Sequence, residues 1–134
     1  MKILSFSKAL ADETRVRLLN ILIPYELNVG EIVAAMKMGQ SRISRHLKVL
    51  TESTLLTSRR DGLWVFYKAA DSEPAASFIA GLRELLSKEP ILQSDLKQAD
   101  SVVRARTSAT QAFFDSIAPE WDQLCYEILG DLDI

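Results

Sequence analysis

The sequence predicts a mainly α-helical protein with one two-stranded β-hairpin and a C-terminal helical extension. Three observations favour this fold. Apolar residues recur at intervals of three and four over most of the chain, as they do in amphipathic helices. Residues 55–68 instead show the pattern of two strands around an Asp-Gly turn. A short basic helix is predicted directly before that hairpin.

Residues 5–22 are predicted as one helix, because apolar side chains follow helical spacing along them. Its N-cap is expected to be Ser5 or Ser7. Asn28 is expected to cap a second, short helix, and Gly39 marks a tight turn after it.

The third helix is predicted from Gln40 to about Ser53. Ile43, Leu47 and Leu50 form its inward stripe. Polar and basic residues occupy the opposite and flanking positions: Ser41, Arg42, Ser44, Arg45 and Lys48. A helix–turn–helix of this kind places its second helix in the major groove of DNA.

The next segment changes to strand-like periodicity. Residues 56–60 and 63–68 are rich in β-forming side chains, and Asp61-Gly62 between them is a strong hairpin signal. Arg59 and Arg60 lie near the tip of this hairpin. Together, residues 5–68 predict a winged helix–turn–helix.

A further helix is predicted over residues 74–87, with Asp71 or Ser72 as its cap. Its apolar stripe is larger than a small winged domain needs, so we expect it to meet a second subunit. Pro90 interrupts the helical pattern. A longer helix is predicted from about Gln93 to Ile117, and a final amphipathic helix follows it. We therefore expect a winged domain in residues 1–89 and a helical extension in residues 90–134.

Charge is distributed unevenly, although the net charge of the 134 residues is only −2. Residues 40–68 carry six bases and two acids, a net charge of +4. Residues 111–134 carry six acids and no base. A local positive face is what DNA binding requires, and the acidic tail should point away from phosphate.

Composition excludes several functional classes. His46 and Cys125 are the single histidine and the single cysteine, which rules out an intrachain disulfide and disfavours a metal site or a Cys/His catalytic pair. No apolar stretch is long enough to span a bilayer, and the first residues do not form a secretion signal. We expect a cytoplasmic protein that is not an enzyme, needs no cofactor and does not contact membranes.

Residues 4–88 resemble the ArsR/SmtB type of winged-helix transcriptional repressor. The motifs that carry the resemblance are KALADETRVRLLNIL at 8–22, MGQSRISRHLKVL at 38–50 and RRDGLWVFYK at 59–68. The resemblance implies a homodimer, built on the first and fifth helices, that binds an inverted-repeat operator in double-stranded DNA and is released by a ligand. The dimer contacts it implies are Phe6, Leu10, Phe78, Ile79, Leu82 and Leu86.

The same resemblance assigns DNA contacts. Base edges are expected to be reached by Ser41, Arg42, Ser44 and Arg45, and phosphates by Gln40 and Lys48. Arg59 and Arg60 are expected at phosphate or in the minor groove. The alternatives are a solvated helix face and an exposed hairpin tip. His46 is expected to be half-buried, either packing in the fold or contacting phosphate. Arg15 and Arg17 are expected to brace the first helix and the dimer, with one of them as a candidate contact to the DNA backbone.

The sequence departs from the metal-sensing members of that family. Residues 27–31 contain none of their cysteines, and residues 74–88 contain no histidine, so metal sensing is not expected. Leu63 stands where the wing usually has a base.

Residues 110–124, TQAFFDSIAPEWDQL, resemble the entry region of class I S-adenosylmethionine-dependent methyltransferases. No Gly-rich cofactor loop follows, so this chain is not expected to transfer methyl groups. The segment suggests S-adenosylhomocysteine or S-adenosylmethionine as a small organic effector. Two alternatives stay open: the regulatory N-terminal part of a fusion enzyme, and a winged-helix interaction module that does not bind DNA.

Overall fold

The computed structural model describes residues 1–106. Residues Met1–Val102 form one compact unit. The predicted domain division at residue 89 stays a prediction. The elements, in chain order, are α1 (Lys2–Ala9), α2 (Glu13–Leu22), β1 (Leu27–Asn28), α3 (Val29–Met36), α4 (Gln40–Glu52), β2 (Leu56–Asp61), β3 (Trp64–Ala69), α5 (Ala75–Ser87) and a helix α6 over residues 90–106.

The single helix predicted over residues 5–22 is wrong, because the chain breaks there into α1 and α2. Asp12 is the N-cap with which α2 begins. Its carboxylate accepts a hydrogen bond from the backbone N–H of Arg15. Neither predicted serine caps α1. The helix begins after Met1, and the Ser7 hydroxyl instead donates to the carbonyl of Ile3 within the helix.

The predicted cap of α3 is confirmed. The Asn28 side chain accepts from the backbone N–H of Glu31, and the Glu31 carboxylate accepts from the backbone N–H of Asn28. α3 ends at Lys37, which has left-handed backbone angles, and Gly39 then serves as the N-cap of α4. These two caps produce the tight turn between the helices.

The predicted wing is also confirmed. β2 and β3 pair antiparallel from Leu56↔Ala69 to Asp61↔Trp64, with Gly62 and Leu63 between them. Gly62 has φ of +63°, a left-handed angle that glycine adopts without steric cost. The two-residue β1 adds a strand that the sequence did not predict, and it pairs with β3.

The predicted caps of α5 are wrong. Pro74 occupies the N-cap position. The carboxylate of Glu73 accepts hydrogen bonds from the backbone N–H and the hydroxyl of Ser77 in the first turn. Asp71 instead pairs with Lys68, and the backbone carbonyl of Ser72 accepts from the N–H of Ala76.

Helix α6 begins at residue 90 rather than at Gln93, with proline in the first position that it favours. Its first part docks on α2 through polar contacts. The Arg17 guanidinium donates two hydrogen bonds, of 2.8 and 2.9 Å, to the Asp95 carboxylate. Asn20 Nδ2 donates to the carbonyl of Leu92 at 3.0 Å. Predictions for residues 107–134, including the final helix and the methyltransferase-like segment, lie outside the described residues.

The core lies between the helices and the base of the wing. Its fully buried side chains come mainly from α2, α3, α4 and the start of β2, joined by Phe6 of α1 and Leu27 of β1. Each contributes roughly 1.5–3 kcal/mol through burial. They include Leu18, Leu22, Ile32, Ile43, Leu47, Leu50 and Leu56. Because α4 contributes its whole inward stripe to this core, its rotation about its own axis is set by packing.

Candidate nucleic-acid interface

The outward face of α4 is polar, basic and exposed. Packing of Ile43, Leu47 and Leu50 against the core turns the opposite positions to solvent. All six residues predicted to contact DNA from this helix are exposed: Gln40, Ser41, Arg42, Ser44, Arg45 and Lys48. We call this set the α4 face.

The cations of the α4 face differ in how strongly neighbouring side chains restrain them. Arg45 makes no hydrogen bond or ion pair with any residue in 1–106. Lys48 lies 3.9 Å from Glu52, but both side chains are more than half exposed, so this pair contributes little. Arg42 Nη2 donates to Thr14 Oγ1 of α2 at 3.2 Å. The Arg45 guanidinium is thus available to a ligand, whereas the hydrogen bond to Thr14 orients the guanidinium of Arg42.

Arg15 ties the α4 face to the helices behind it. Its Nε donates to the carbonyl of Ala9 at the end of α1, at 2.6 Å. Its Nη1 lies 3.3 Å from Nδ1 of His46 on α4. The expectation that Arg15 braces the first helix is confirmed, and the contact with His46 extends that bracing to α4.

His46 is half-buried, as expected, and its surroundings lower the pKa of the imidazole. Partial burial lowers the pKa of His46, and the cations Arg15, Arg45 and Arg42 lower it further, although Asp12 raises it. Since arginine only donates hydrogen bonds, Nδ1 is the accepting nitrogen. The lowered pKa of His46 therefore favours the uncharged imidazole beside the α4 face.

Two arginines of the wing have different surroundings. Arg59 donates to both carboxylate oxygens of Glu26, at 2.9 and 2.7 Å, and lies over the ring of Phe66. The hydrogen bond to Glu26 raises the pKa of Arg59. Arg60 has no such partner among residues 1–106. Both were predicted to contact DNA, and the structure leaves Arg60 the freer of the two.

The predicted dimer contacts fall into two groups. Phe6 and Ile79 are buried within the single chain, and the Phe6 ring packs on Phe78 with centroids 5.0 Å apart. The other four are partly exposed: Leu10, Phe78, Leu82 and Leu86. Three further apolar residues of α1 and α5 are exposed: Ile3, Leu4 and Leu85. Leu85 belongs to the apolar stripe predicted for α5, whereas Ile3 and Leu4 lie before the predicted start of the first helix.

The described part of the chain lacks both a metal-binding cluster and a helix that could cross a membrane. Residues 1–106 contain no group of three or more histidine, cysteine, aspartate or glutamate side chains placed to hold a metal ion. None of the helices in that range has both the length and the apolarity that crossing a membrane requires.

Residues 12–58 match the sequence profile of the bacterial regulatory proteins of the arsR family. The arsenical resistance operon repressor of Escherichia coli is 44% identical over 69 residues, which are 51% of this chain and 59% of that protein. The uncharacterized HTH-type transcriptional regulator Rv0081 of Mycobacterium tuberculosis is 31% identical over 106 residues, 78% of this chain and 90% of that protein. For two further curated relatives, the chain spans about half of their length, 53% and 51%.

A solved structure shares the architecture. It is the solution structure of the homodimeric winged helix-turn-helix DNA-binding domain Mb0332 from Mycobacterium bovis, a possible ArsR-family transcriptional regulator. It matches with a TM-score of 0.57 at 27% identity, over 66% of this chain and 82% of that one. The fold, the arsR profile across the helix–turn–helix and the relative matched over nearly its whole length agree. The chain belongs to the ArsR family of bacterial regulatory proteins, a family of winged helix–turn–helix transcriptional regulators.

Proposed function

We propose that this protein is a homodimeric, sequence-specific DNA-binding repressor that acts in the cytoplasm. The observation that carries the proposal is the α4 face, which combines an exposed N-terminal half, short polar side chains and an unpaired Arg45. A helix with these properties fits the major groove of DNA, which is about 12 Å wide. Its N-terminal residues then approach base edges, as in other helix–turn–helix proteins.

Roles within the α4 face follow from the freedom of each side chain. Arg45 pairs with guanine through O6 and N7, a contact that discriminates by about 1–3 kcal/mol. Arg42, oriented by Thr14, reaches a base or phosphate beside it. Ser41 and Ser44 add short hydrogen bonds to base edges. Gln40 and Lys48 contact phosphate, as does Arg60 from the wing, and these contacts make affinity depend on salt.

The dimer is proposed to form through α1 and α5. Support comes from the exposed apolar residues on these two helices, Ile3, Leu4 and Leu85, beside the predicted set. The homodimeric state of the Mycobacterium bovis domain supports the same arrangement. A two-fold dimer presents two α4 helices about 34 Å apart, so its operator is an inverted repeat with half-sites one turn apart.

Regulation by a small organic effector, rather than by a metal, is a second part of the proposal. The lack of cysteine in residues 27–31 argues against soft metal ions. The resemblance of residues 110–124 to a methyltransferase supports S-adenosylhomocysteine or S-adenosylmethionine, or, alternatively, a place at the front of a fusion enzyme. Calorimetric titration of the DNA complex with both compounds and with zinc tests this part. Stoichiometric binding of zinc would contradict it.

The main proposal is tested by selecting duplexes that bind the full chain from a random library, and by sedimentation of the resulting complex. We expect an inverted repeat and two chains per duplex. Recovery of no common sequence, or of a single half-site bound by one chain, would contradict the proposal. Retention of binding by a variant that lacks the cations of the α4 face would contradict it equally.

A further inference from the structure

Two polar contacts join the first turn of α2 to the flank of the α4 face. Arg15 reaches His46, and the Thr14 hydroxyl accepts a hydrogen bond of 3.2 Å from Nη2 of Arg42. Arg42 and His46 are four positions apart on α4, so they lie on the same side of that helix. The first turn of α2 therefore supports the side of α4 that carries Arg42.

Thr14 is well suited to hold a long side chain in place. It is only 4% exposed, and it lies in the turn of α2 that Asp12 caps. Its branched Cβ restricts rotation about χ1. The buried hydroxyl is therefore a fixed acceptor, whereas the Arg42 side chain that it holds lies at the surface.

The contact with Thr14 restrains the Arg42 guanidinium without neutralising it. Threonine is uncharged, and Arg42 makes no ion pair within residues 1–106. Arg59 differs, because both oxygens of the Glu26 carboxylate accept from it and offset its charge. A guanidinium carries its N–H donors in a planar fork, and Nη2 contributes one donor to each of the two paired edges. Since the Thr14 hydroxyl occupies one N–H of Nη2, one complete pair of donors stays open to a ligand.

An oriented guanidinium suits a base edge better than a phosphate. A phosphate contact fixes the position of a protein on the duplex and reads no sequence. Guanine instead requires two parallel donors directed at O6 and N7. Ordering a free side chain lowers the affinity of a complex, and Arg42 is already partly ordered before DNA binds. Arg45, three positions further along α4, has no such restraint within the described residues.

We propose that Thr14 is a positioning residue that determines the base preference of Arg42, whose guanidinium pairs with a guanine other than the one that Arg45 contacts. The inference rests on the DNA-binding function proposed above. It assigns Arg42 to a base edge rather than to phosphate. It also gives a role in specificity to a buried residue of α2 that does not itself touch DNA.

The test measures the affinity of the full chain for the selected operator and for duplexes in which each position of the half-sites is varied. Arg42→Ala first identifies the base pair whose preference depends on Arg42. Thr14→Val keeps the shape of threonine and removes the acceptor. It should weaken operator binding by about twofold to tenfold per half-site and reduce the preference at that base pair, because Arg42 must then be ordered by the DNA. The preference that depends on Arg45 should remain, and Thr14→Ser should restore the preference of Arg42.

A double substitution separates positioning from a structural role. In the Arg42→Ala protein, Thr14→Val should cause no further loss of affinity, whereas altered packing of α2 would weaken binding with or without Arg42. Equal losses in both backgrounds, or a base preference that Thr14→Val leaves unchanged, would overturn the inference while leaving DNA binding intact. Arg42→Ala with every base preference retained would overturn it as well, because Arg42 would then contact phosphate only. Failure of the parent protein to bind any duplex would instead remove the proposed function, and this inference with it.

Discussion

Arg15 and His46 join two helices that lie far apart in the sequence. Nη1 of Arg15 on α2 lies 3.3 Å from Nδ1 of His46 on α4, a separation of 31 positions along the chain. The same guanidinium holds the end of α1 through the carbonyl of Ala9. The helix proposed to contact DNA is therefore fixed both by its apolar stripe and by a polar contact at its flank.

The first prediction concerns stability and pH. The folded state keeps the pKa of His46 below its usual value, so the unfolded chain takes up the proton first as pH falls. The contribution of His46 to the free energy of unfolding is fully present above about pH 6.5, the usual pKa of histidine. It is lost as the pH falls from there through the lower pKa of His46 in the folded protein. Urea unfolding between pH 7.5 and pH 5, chosen to bracket that value of about 6.5, should show this decline.

His46→Gln is the matched control, because glutamine keeps an acceptor for Arg15 but does not titrate. The chain has one histidine, so the difference between the two curves belongs to His46. The pKa of Asp12 is also lowered in the folded state, so Asp12 contributes to stability at about pH 5 and above. That contribution is lost only in solutions more acidic than that. Burial raises the pKa of Asp12, but the hydrogen bond from the Arg15 N–H and the nearby cations outweigh it. Parallel curves for both proteins would contradict a lowered pKa of His46 in the folded state.

The second prediction concerns the N-cap of α2. Asp12→Ala should lower the free energy of unfolding by about 1 kcal/mol, because the backbone N–H of Arg15 loses its acceptor. Ser7→Ala is the control, since its hydroxyl bonds within α1 and caps nothing. It should change stability by less than about 0.5 kcal/mol. Equal losses in the two variants would show that the break between α1 and α2 does not depend on Asp12.

The third prediction concerns the docking of α6. Asp95→Ala leaves the Arg17 guanidinium without its partner in a site where the carboxylate side chain is only 6% exposed. Loss of one partner from such a buried pair costs about 3 kcal/mol. Glu52→Ala removes an exposed carboxylate that faces Lys48 and should cost less than about 0.5 kcal/mol. Urea denaturation of the three proteins measures both effects, and similar small losses would contradict a structural role for the Arg17–Asp95 pair.

Local signals in the sequence account for the parts of the fold that were predicted. Asn28 with Glu31 three residues later marks a helix start, and Asp61-Gly62 marks a hairpin. The inward stripe of α4 follows from spacing alone. The break before Asp12 was missed because apolar periodicity runs on across it, although aspartate is itself a capping residue.

Contacts between distant residues could not be predicted in this way. Arg17 and Asp95 lie 78 positions apart, and Arg59 and Glu26 lie 33 apart. Charge patterns show that such residues are available, but only the fold selects the pairs. The sequence therefore identified both wing arginines as candidate DNA contacts, while the structure shows that one already has a partner.

The fourth prediction concerns specificity. Arg45→Ala should weaken binding to the selected operator by about 1–3 kcal/mol in each half-site and remove the preference at one base pair. Arg45 makes no hydrogen bond or ion pair within residues 1–106 and is exposed, so urea unfolding should change by less than about 0.5 kcal/mol. Binding to a random duplex should fall much less. An equal loss on both duplexes would mean that Arg45 contacts phosphate only.

The most direct test of the central claim is methylation interference at guanine N7, which lies in the major groove, on the selected operator. The account predicts two groups of interfering guanines, one per half-site and about 10 base pairs apart. In Arg45→Ala, the guanine that Arg45 contacts should stop interfering in both groups. Interference at a single group, or a pattern unaltered by the substitution, would contradict the placement of α4 in successive major grooves.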